Sequence, residues 1–502
     1  MLKPFADAPG IYHVIEAALR APSVCNTQPW SFRIVADDRI ELRANVDDDV
    51  GNGPGRGRWD LLLHSPAPGP WPREYAISCG AALMNLRLAF RVLGHDPVIT
   101  LVPDPVGDPG LLASVEIVVG RTHKPGSLEQ ELYDAIWQRH TDRWPFSDTP
   151  VRPGILVEME RAAAHEHGWL RVLHGPFSRR WLKVSADADA AIAAARDRGN
   201  GMNGGGAVRD GGHSAADGGA PDGGNGAPDD GMSVTGDDTA GAAPATYGAL
   251  LRQFRDELAQ WTDGSDSGHG IPRTAFGPRP ATAHPPVRDF TLGGTEPAEG
   301  EWDGTEWNGV KWVAEPRGNG QNGGAAERDD ARPGDVPRER FERHPQLMML
   351  FTDRDEPADW LRAGQALQRA LLTATSLGVS ASFLTQPLEL ADLAFRCDSQ
   401  DGRLRRLPFL ESHPGLPLHR RAADASQRRS SSAVERRGYA RRHLLGATPW
   451  LEVPQMVIRV GYPENQAGKP DISTPRQEPD IIDARSAPPV RVTRPRSGPG
   501  PR

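Results

Sequence analysis

The chain has 502 residues with 58 basic and 66 acidic side chains, a net charge of −8, and 38% hydrophobic residues. That balance gives no general attraction to nucleic acid or to a membrane surface. Three cysteines, at 25, 79 and 397, form neither a disulfide framework nor a zinc-ligand spacing and suit a reducing compartment.

The first residues lack a basic region followed by an apolar core and a small-residue cleavage site, and no run of eighteen apolar residues occurs. The expectation is a cytoplasmic protein. Residues 11–20 (IYHVIEAALR) repeat apolar side chains at helical spacing and stop before Pro22. A polar run, APSVCNTQPWSF, follows at 21–32. In it Ser23, Asn26 and Gln28 offer a hydroxyl and two amides, while Pro22 and Pro29 stiffen the loop. Those groups suit the edge of a heteroaromatic ring, and equally the capping of a loop. FRIVADDRIEL reads as a hairpin turning at Asp37-Asp38. Residues 75–94 give the strongest helix signal, stopped by Gly94, and VITLVPDP and SVEIVVG then read as strands.

A second set of elements begins near residue 131. Helices are expected at 154–167, 246–261 and 359–378, with strands at WLRVLHG and PQLMMLFTD and a final helix-to-strand passage into RVGYP. The helix segments GAALMNLRLAFRVLG and GQALQRALLTATSLG both start Gly-x-Ala-Leu and end Leu-Gly, a weak internal repeat. Residues near 196–246 and 295–340 are Gly- and Asp-rich, and 398–435 carries arginine pairs; all three read as surface insertions. Those pairs lack interleaved aromatics, so base stacking and a nucleic-acid partner are not expected.

Arg139, Thr141 and Arg143 lie on one side of an extended segment, so two guanidiniums and a hydroxyl could clamp a phosphate; a solvated basic segment has the same appearance. Arg476 is a further candidate phosphate partner. No Walker A sequence, nucleophile elbow or His-Glu-x-x-His is present, so hydrolase and metalloenzyme readings lack support.

APSVCNTQPWSF resembles the Ala-Pro-Ser-x-x-Asn-x-Gln-Pro-Trp loop of FMN-dependent nitroreductases, and RHTDRWPFSDTPV resembles their arginine motif. Loop first and arginine motif over a hundred residues later, with DWLRAGQALQRALL, LTQPLE and RVGYP, is similar to the actinobacterial Acg-like nitroreductases. The resemblance implies an α+β, nitroreductase-like fold in which two fused halves, 1–128 and 129–484, imitate a dimer, followed by a disordered tail at 485–502. It implies one FMN at the interface, held by Pro22, Ser23, Asn26 and Gln28 from the first half and Arg139, Thr141, Arg143 and Arg476 from the second. Thr385-Gln386 would approach flavin N5, and no side chain need act as a nucleophile. The implied activity passes hydride from NAD(P)H through FMN to a nitroaromatic or quinone. The alternative is a catalytically silent flavoprotein that stores or sequesters FMN. The protein is expected to be a monomer or weak homodimer. Residues 268–280 resemble the family's lid, and Cys25 stands where the family usually has histidine.

Overall fold

The computed structural model describes residues 8–44, 73–118, 120–194, 345–392 and 452–463, with shorter stretches at 251, 270–271, 275, 441, 444, 474–476, 478, 481–485 and 489–491. The three insertions and nearly all of the 246–261 helix lie outside the described residues. The described architecture is a mixed α+β arrangement of two sheets and the helices between and around them.

Helix α1 (Ala8–Leu19) leads through a short 3₁₀ turn (Val24–Asn26) into β1 (Trp30–Ala36) and β2 (Arg39–Ala44). These strands form the expected hairpin, with Phe32 opposite Leu42 and Ile34 opposite Ile40. Helix α2 (Arg73–Val92) follows, then β3 (Val98–Leu101) and β4 (Leu111–Glu116). Helix α3 (Ser127–Gln138), helix α4 (Pro153–Ala164), β5 (Trp169–Leu173) and helix α5 (Pro176–Ala194) come next. After them come β6 (Gln346–Thr352), helix α6 (Pro357–Ser376), β7 (Ser380–Phe383) and β8 (Val453–Gly461).

The last strands are β9 (Ile481–Asp483) and β10 (Val490–Arg491). The first sheet runs β10-β9-β1-β2-β4-β3 and the second β5-β6-β8-β7. Only β9 pairs in parallel within these sheets, placing Ile481 beside Phe32 and carrying the end of the chain back to its beginning. The tail expected to be disordered from 485 therefore has an ordered part. Val490 and Arg491 pair with Asp483 and Ile482 through backbone hydrogen bonds, which need little from the side chains.

β6 reads QLMMLFT, a continuous apolar run, because both of its faces are covered. Leu347, Met349 and Phe351 enter one core with Trp181 and Val184 of α5, while Met348 and Leu350 enter another with Trp360 and Leu367 of α6. Leu132, Ala135 and Ile136 of α3 join a third core, with α1, α2, the first sheet and Leu361 and Leu372 of α6. Thus a helix that sequence groups mainly with the second set of elements packs on both sets.

The repeated segments meet each other. Helices α2 and α6 pack together so closely that a β-carbon on Gly80 would lie 2.2 Å from the Leu361 carbonyl oxygen, and one on Gly364 would lie 2.0 Å from that of Ile77. Only glycine permits this backbone contact. Both helices also end as the sequence indicates, with Gly94 at φ +90° and Gly378 at φ +75°. His95 donates to the Phe90 carbonyl and Val379 to that of Ala374, closing matching left-handed caps. One turn beyond the crossing, Gln368 Nε2 donates to Asn85 Oδ1 at 2.8 Å, and Asn85 Nδ2 donates to the Ala17 carbonyl at 2.9 Å. Glu166 braces the same pair by accepting from Arg87 of α2 and Arg369 of α6.

Candidate anion and cofactor site

The loop after α1 is held in a costly conformation. Cys25, Asn26 and Gln28 have φ of +46°, +57° and +53°, values that non-glycine residues seldom adopt and that concentrate at functional sites. Its own polar groups hold part of that shape. Ser23 Oγ accepts from Gln28 N at 3.0 Å, Gln28 Nε2 reaches back to the Asn26 carbonyl at 3.4 Å, and Ser78 Oγ of α2 accepts from Val24 N at 3.1 Å. Cys79 donates to the Pro29 carbonyl at 3.4 Å, and burial raises its thiol well above the ordinary range. Pro22 is buried beneath the loop.

Asn26 does most to close the site. Its Nδ2 donates both protons, to the Gly270 carbonyl at 3.0 Å and the Pro475 carbonyl at 2.9 Å, while its Oδ1 accepts from Arg476 Nη1 at 2.9 Å. One buried amide therefore joins three distant parts of the chain: the polar loop, the segment at 270 and the segment at 475. Both donor positions of the amide are used.

The arginines arrive from α3 and from the chain end. Backbone at Arg139 turns from helix to extended (φ −65°, ψ 127°). The segment then runs beside β7, with Thr141 bridging Ala381 in parallel and Asp142 N donating to the Ala381 carbonyl at 3.0 Å. Arg139 and Arg143 are both buried, as a shared inward face requires, and Thr141 is half-buried. The alternation is not strict: Asp142 is buried too, its carboxylate accepting from Trp144 N at 3.1 Å. Arg139 Nη2 and Arg476 Nη2 donate to one acceptor, the Arg20 carbonyl, at 3.1 and 3.2 Å.

Positive charge is gathered here, with Arg139 and Arg143 buried and Arg476 half-buried. Burial, and then Arg143, pull the Arg139 guanidinium down to about 10. Burial brings Arg143 to about 10 although Cys25 and Asp142 oppose it, and burial with Arg139 and Arg20 brings Arg476 to about 9. Among the described residues no carboxylate forms an ion pair with Arg139 or Arg476. Arg139 Nε has no hydrogen-bond partner there either. Buried guanidiniums without carboxylates are the donor set of an anion site. Also among the described residues, no His, Cys, Asp and Glu group could hold a metal ion, and no helix is long and apolar enough to cross a membrane.

The chain is 27% identical over 388 residues, 77% of its own length and 79% of the relative's, to the Mycobacterium tuberculosis protein named "Putative NAD(P)H nitroreductase Rv3131". The chain thus has a homologue named as a putative nitroreductase over most of its length. A second M. tuberculosis relative, named "Putative NAD(P)H nitroreductase acg", is 31% identical over 144 residues, 28% of this chain and 37% of that protein. A third, named "Uncharacterized protein Rv3127", is 35% identical over 139 residues, 27% of this chain and 34% of its own. No protein-family profile matches the chain.

The residues singled out in sequence are brought together unevenly. Asn26, Arg139 and Arg476 meet around Arg20, and Arg143 lies within electrostatic reach of Arg139 and Cys25. Ser23 and Gln28 bond chiefly within the loop. Thr385 and Gln386 stand at the far end of β7, where a helical turn begins at Gln386, and Thr385 Oγ1 points away to Glu389 Oε1 at 3.2 Å. Sequence reading missed the Arg20 carbonyl. Its signal was available, because carbonyls at a helix end lack intrahelical partners and carry partial negative charge.

Proposed function

We propose that the chain binds FMN, with Arg139, Arg143 and Arg476 holding the phosphate and the loop at 22–28 lying against the ring or ribityl chain. The observation that carries this reading is the arginine cluster, whose proton affinities are depressed by burial and, at Arg139 and Arg476, by neighbouring arginines. A phosphate dianion would relieve both effects. Thr141 adds a hydroxyl on the same segment. The turn at Thr385-Gln386 would supply backbone donors near the redox-active edge of the ring.

The two halves of the chain are read as an internal counterpart of a symmetric dimer. In support, the glycines of the repeated helices contact each other reciprocally, as the same residue does across a two-fold interface. The arginine segment follows α3 while the polar loop follows α1, so the site draws on both sets of elements. Only one pairing of motifs is present in the sequence, giving one flavin per chain.

Bound flavin supplies the electron transfer, so the protein's part is to bind, orient and exclude water. The leading activity is NAD(P)H-dependent reduction of a nitroaromatic or quinone. A specific observation favours the second reading, a flavoprotein that sequesters FMN without turnover. Asn26 ties the segment at Gly270, within the lid-like sequence, directly to the flavin loop. An absorbance spectrum of the purified protein before and after NADPH separates the two. Prompt bleaching supports the reductase, an unchanged flavin band supports sequestration, and a protein that neither carries nor takes up flavin rejects both.

A further inference from the structure

Beyond β7, the turn at Thr385 leads from the arginine cluster into a second group of charges. Arg73 and Glu74 begin α2, Glu389 and Asp392 follow Gln386, Asp355 precedes α6, and Arg441 and Gln455 complete the group. Three of the four carboxylates hold a guanidinium. Glu74 pairs with Arg73. Asp392 accepts from Arg73 Nε at 3.0 Å and lies 3.5 Å from Arg441 Nε. Asp355 pairs with Arg441 and also accepts from Trp360 Nε1 at 2.7 Å and Gln455 Nε2 at 3.3 Å. Glu389 has no such pairing among the described residues; its hydrogen bond is from the Thr385 hydroxyl at 3.2 Å.

Four carboxylates facing two guanidiniums in a largely buried cluster leave excess negative charge if all ionise. The carboxyl without a guanidinium is the one that keeps its proton. Burial, with Glu74 beside it, pushes Glu389 up to about 8 against the pull of Arg73 and the Thr385 hydroxyl, while Asp392 pushes the same way as Glu74. The cluster also reaches the polar loop from its other side. Ser78 Oγ donates to the Glu74 carbonyl at 2.7 Å and itself accepts from Val24 N at 3.1 Å.

We propose that Glu389 is a proton-exchanging positioning residue of this site, acting through the Thr385 hydroxyl on the turn where the redox-active edge of the flavin would lie. The inference rests on the FMN reading. A hydride from a nicotinamide donor, two electrons and one proton, would add one negative charge to the site, and above about pH 8 the ionised Glu389 carboxylate would take one proton from water to offset it. An acceptor that took the two electrons and the proton away would remove that charge, and Glu389 would return its own proton to water. Glu389 thus has a higher proton affinity beside the reduced cofactor than beside the oxidised one.

The test is the midpoint potential of the flavin-loaded protein between pH 6 and 10. Above about pH 8 the potential of the wild type falls more steeply, by about 30 mV per pH unit for one further proton per two electrons. Glu389→Gln, which preserves the shape of the protonated acid, lacks that step. Thr385→Val removes a bond that favours the carboxylate and moves the step to higher pH. Equal slopes in wild type and Glu389→Gln overturn the proposal. A protein that takes up no FMN overturns the flavin reading and this proposal with it, a result distinct from a flavoprotein with unchanged slope. The infrared band of a protonated carboxyl reads Glu389 without cofactor. It is expected at neutral pH in wild type and absent in Glu389→Gln, and its absence from wild type also overturns the proposal.

Discussion

Arg139 and Arg476, more than three hundred residues apart in sequence, donate to the same oxygen, the carbonyl of Arg20, at 3.1 and 3.2 Å. The end of α1 thereby fixes both guanidiniums without neutralising either, since a carbonyl carries only partial charge. Held together, Arg139 buried and Arg476 half-buried, they lack a full negative charge that a phosphate would bring.

The pH dependence of stability follows from that arrangement. A base whose proton affinity is lower in the folded chain than in the unfolded one binds fewer protons when folded, so its contribution to stability rises with pH across the interval between the two values. For Arg476, at about 9 and so well below the ordinary arginine range, this contribution is unfavourable at neutral pH and is relieved as pH rises through 9. FMN binding has the opposite sign. It needs charged guanidiniums, so FMN affinity weakens above about pH 9. Titration of flavin-free protein with FMN at pH 7, 8, 9 and 10 checks this; affinity that strengthens above pH 9 runs against it.

The helix crossing gives a prediction about stability. Gly80→Ala or Gly364→Ala would force a methyl group into a facing carbonyl, at the upper end of overpacking costs, about 3 kcal/mol or more. Gly154→Ala in α4 meets nothing within 4 Å and gains helix propensity, about 0.5–1 kcal/mol toward greater stability. Chemical denaturation of the three variants compares them. Similar midpoints for all three would mean the helices do not approach as described.

Asn26→Ala removes three hydrogen bonds and leaves the Arg476 guanidinium with one fewer acceptor. Net values near 1 kcal/mol per bond, and more for the charged one, give a loss of about 3–4 kcal/mol. The amides around Gly270 and Arg476 should exchange with deuterium faster together, because one side chain joins them. Acceleration at one segment without the other would separate what the amide links.

The sequence reading reached the elements with strong local signals. The hairpin turning at Asp37-Asp38 and the paired helices ending in Leu-Gly are set by neighbours a few residues away. Helix α5 was not among the expected elements. Its Ala- and Asp-rich second half, ADADAAIAA, runs into a Gly- and Asp-rich stretch, and its apolar anchor is chiefly Trp181 and Val184. Strands β9 and β10 are short and exist through backbone pairing. The arginine segment was legible as a motif, but the partners of Asn26 lie 244 and 449 residues away, at positions no local pattern marks. Of the three positive φ values in the loop, only that at Asn26 falls on a residue type that readily accepts one.

Whether the arginine cluster holds FMN is read from the flavin released on denaturing the purified protein. The account predicts one FMN per chain in the wild type and none in the Arg139→Ala/Arg143→Ala double variant, with both proteins folded by circular dichroism. Flavin retained by the double variant, or a wild type that cannot be loaded with FMN, would contradict it.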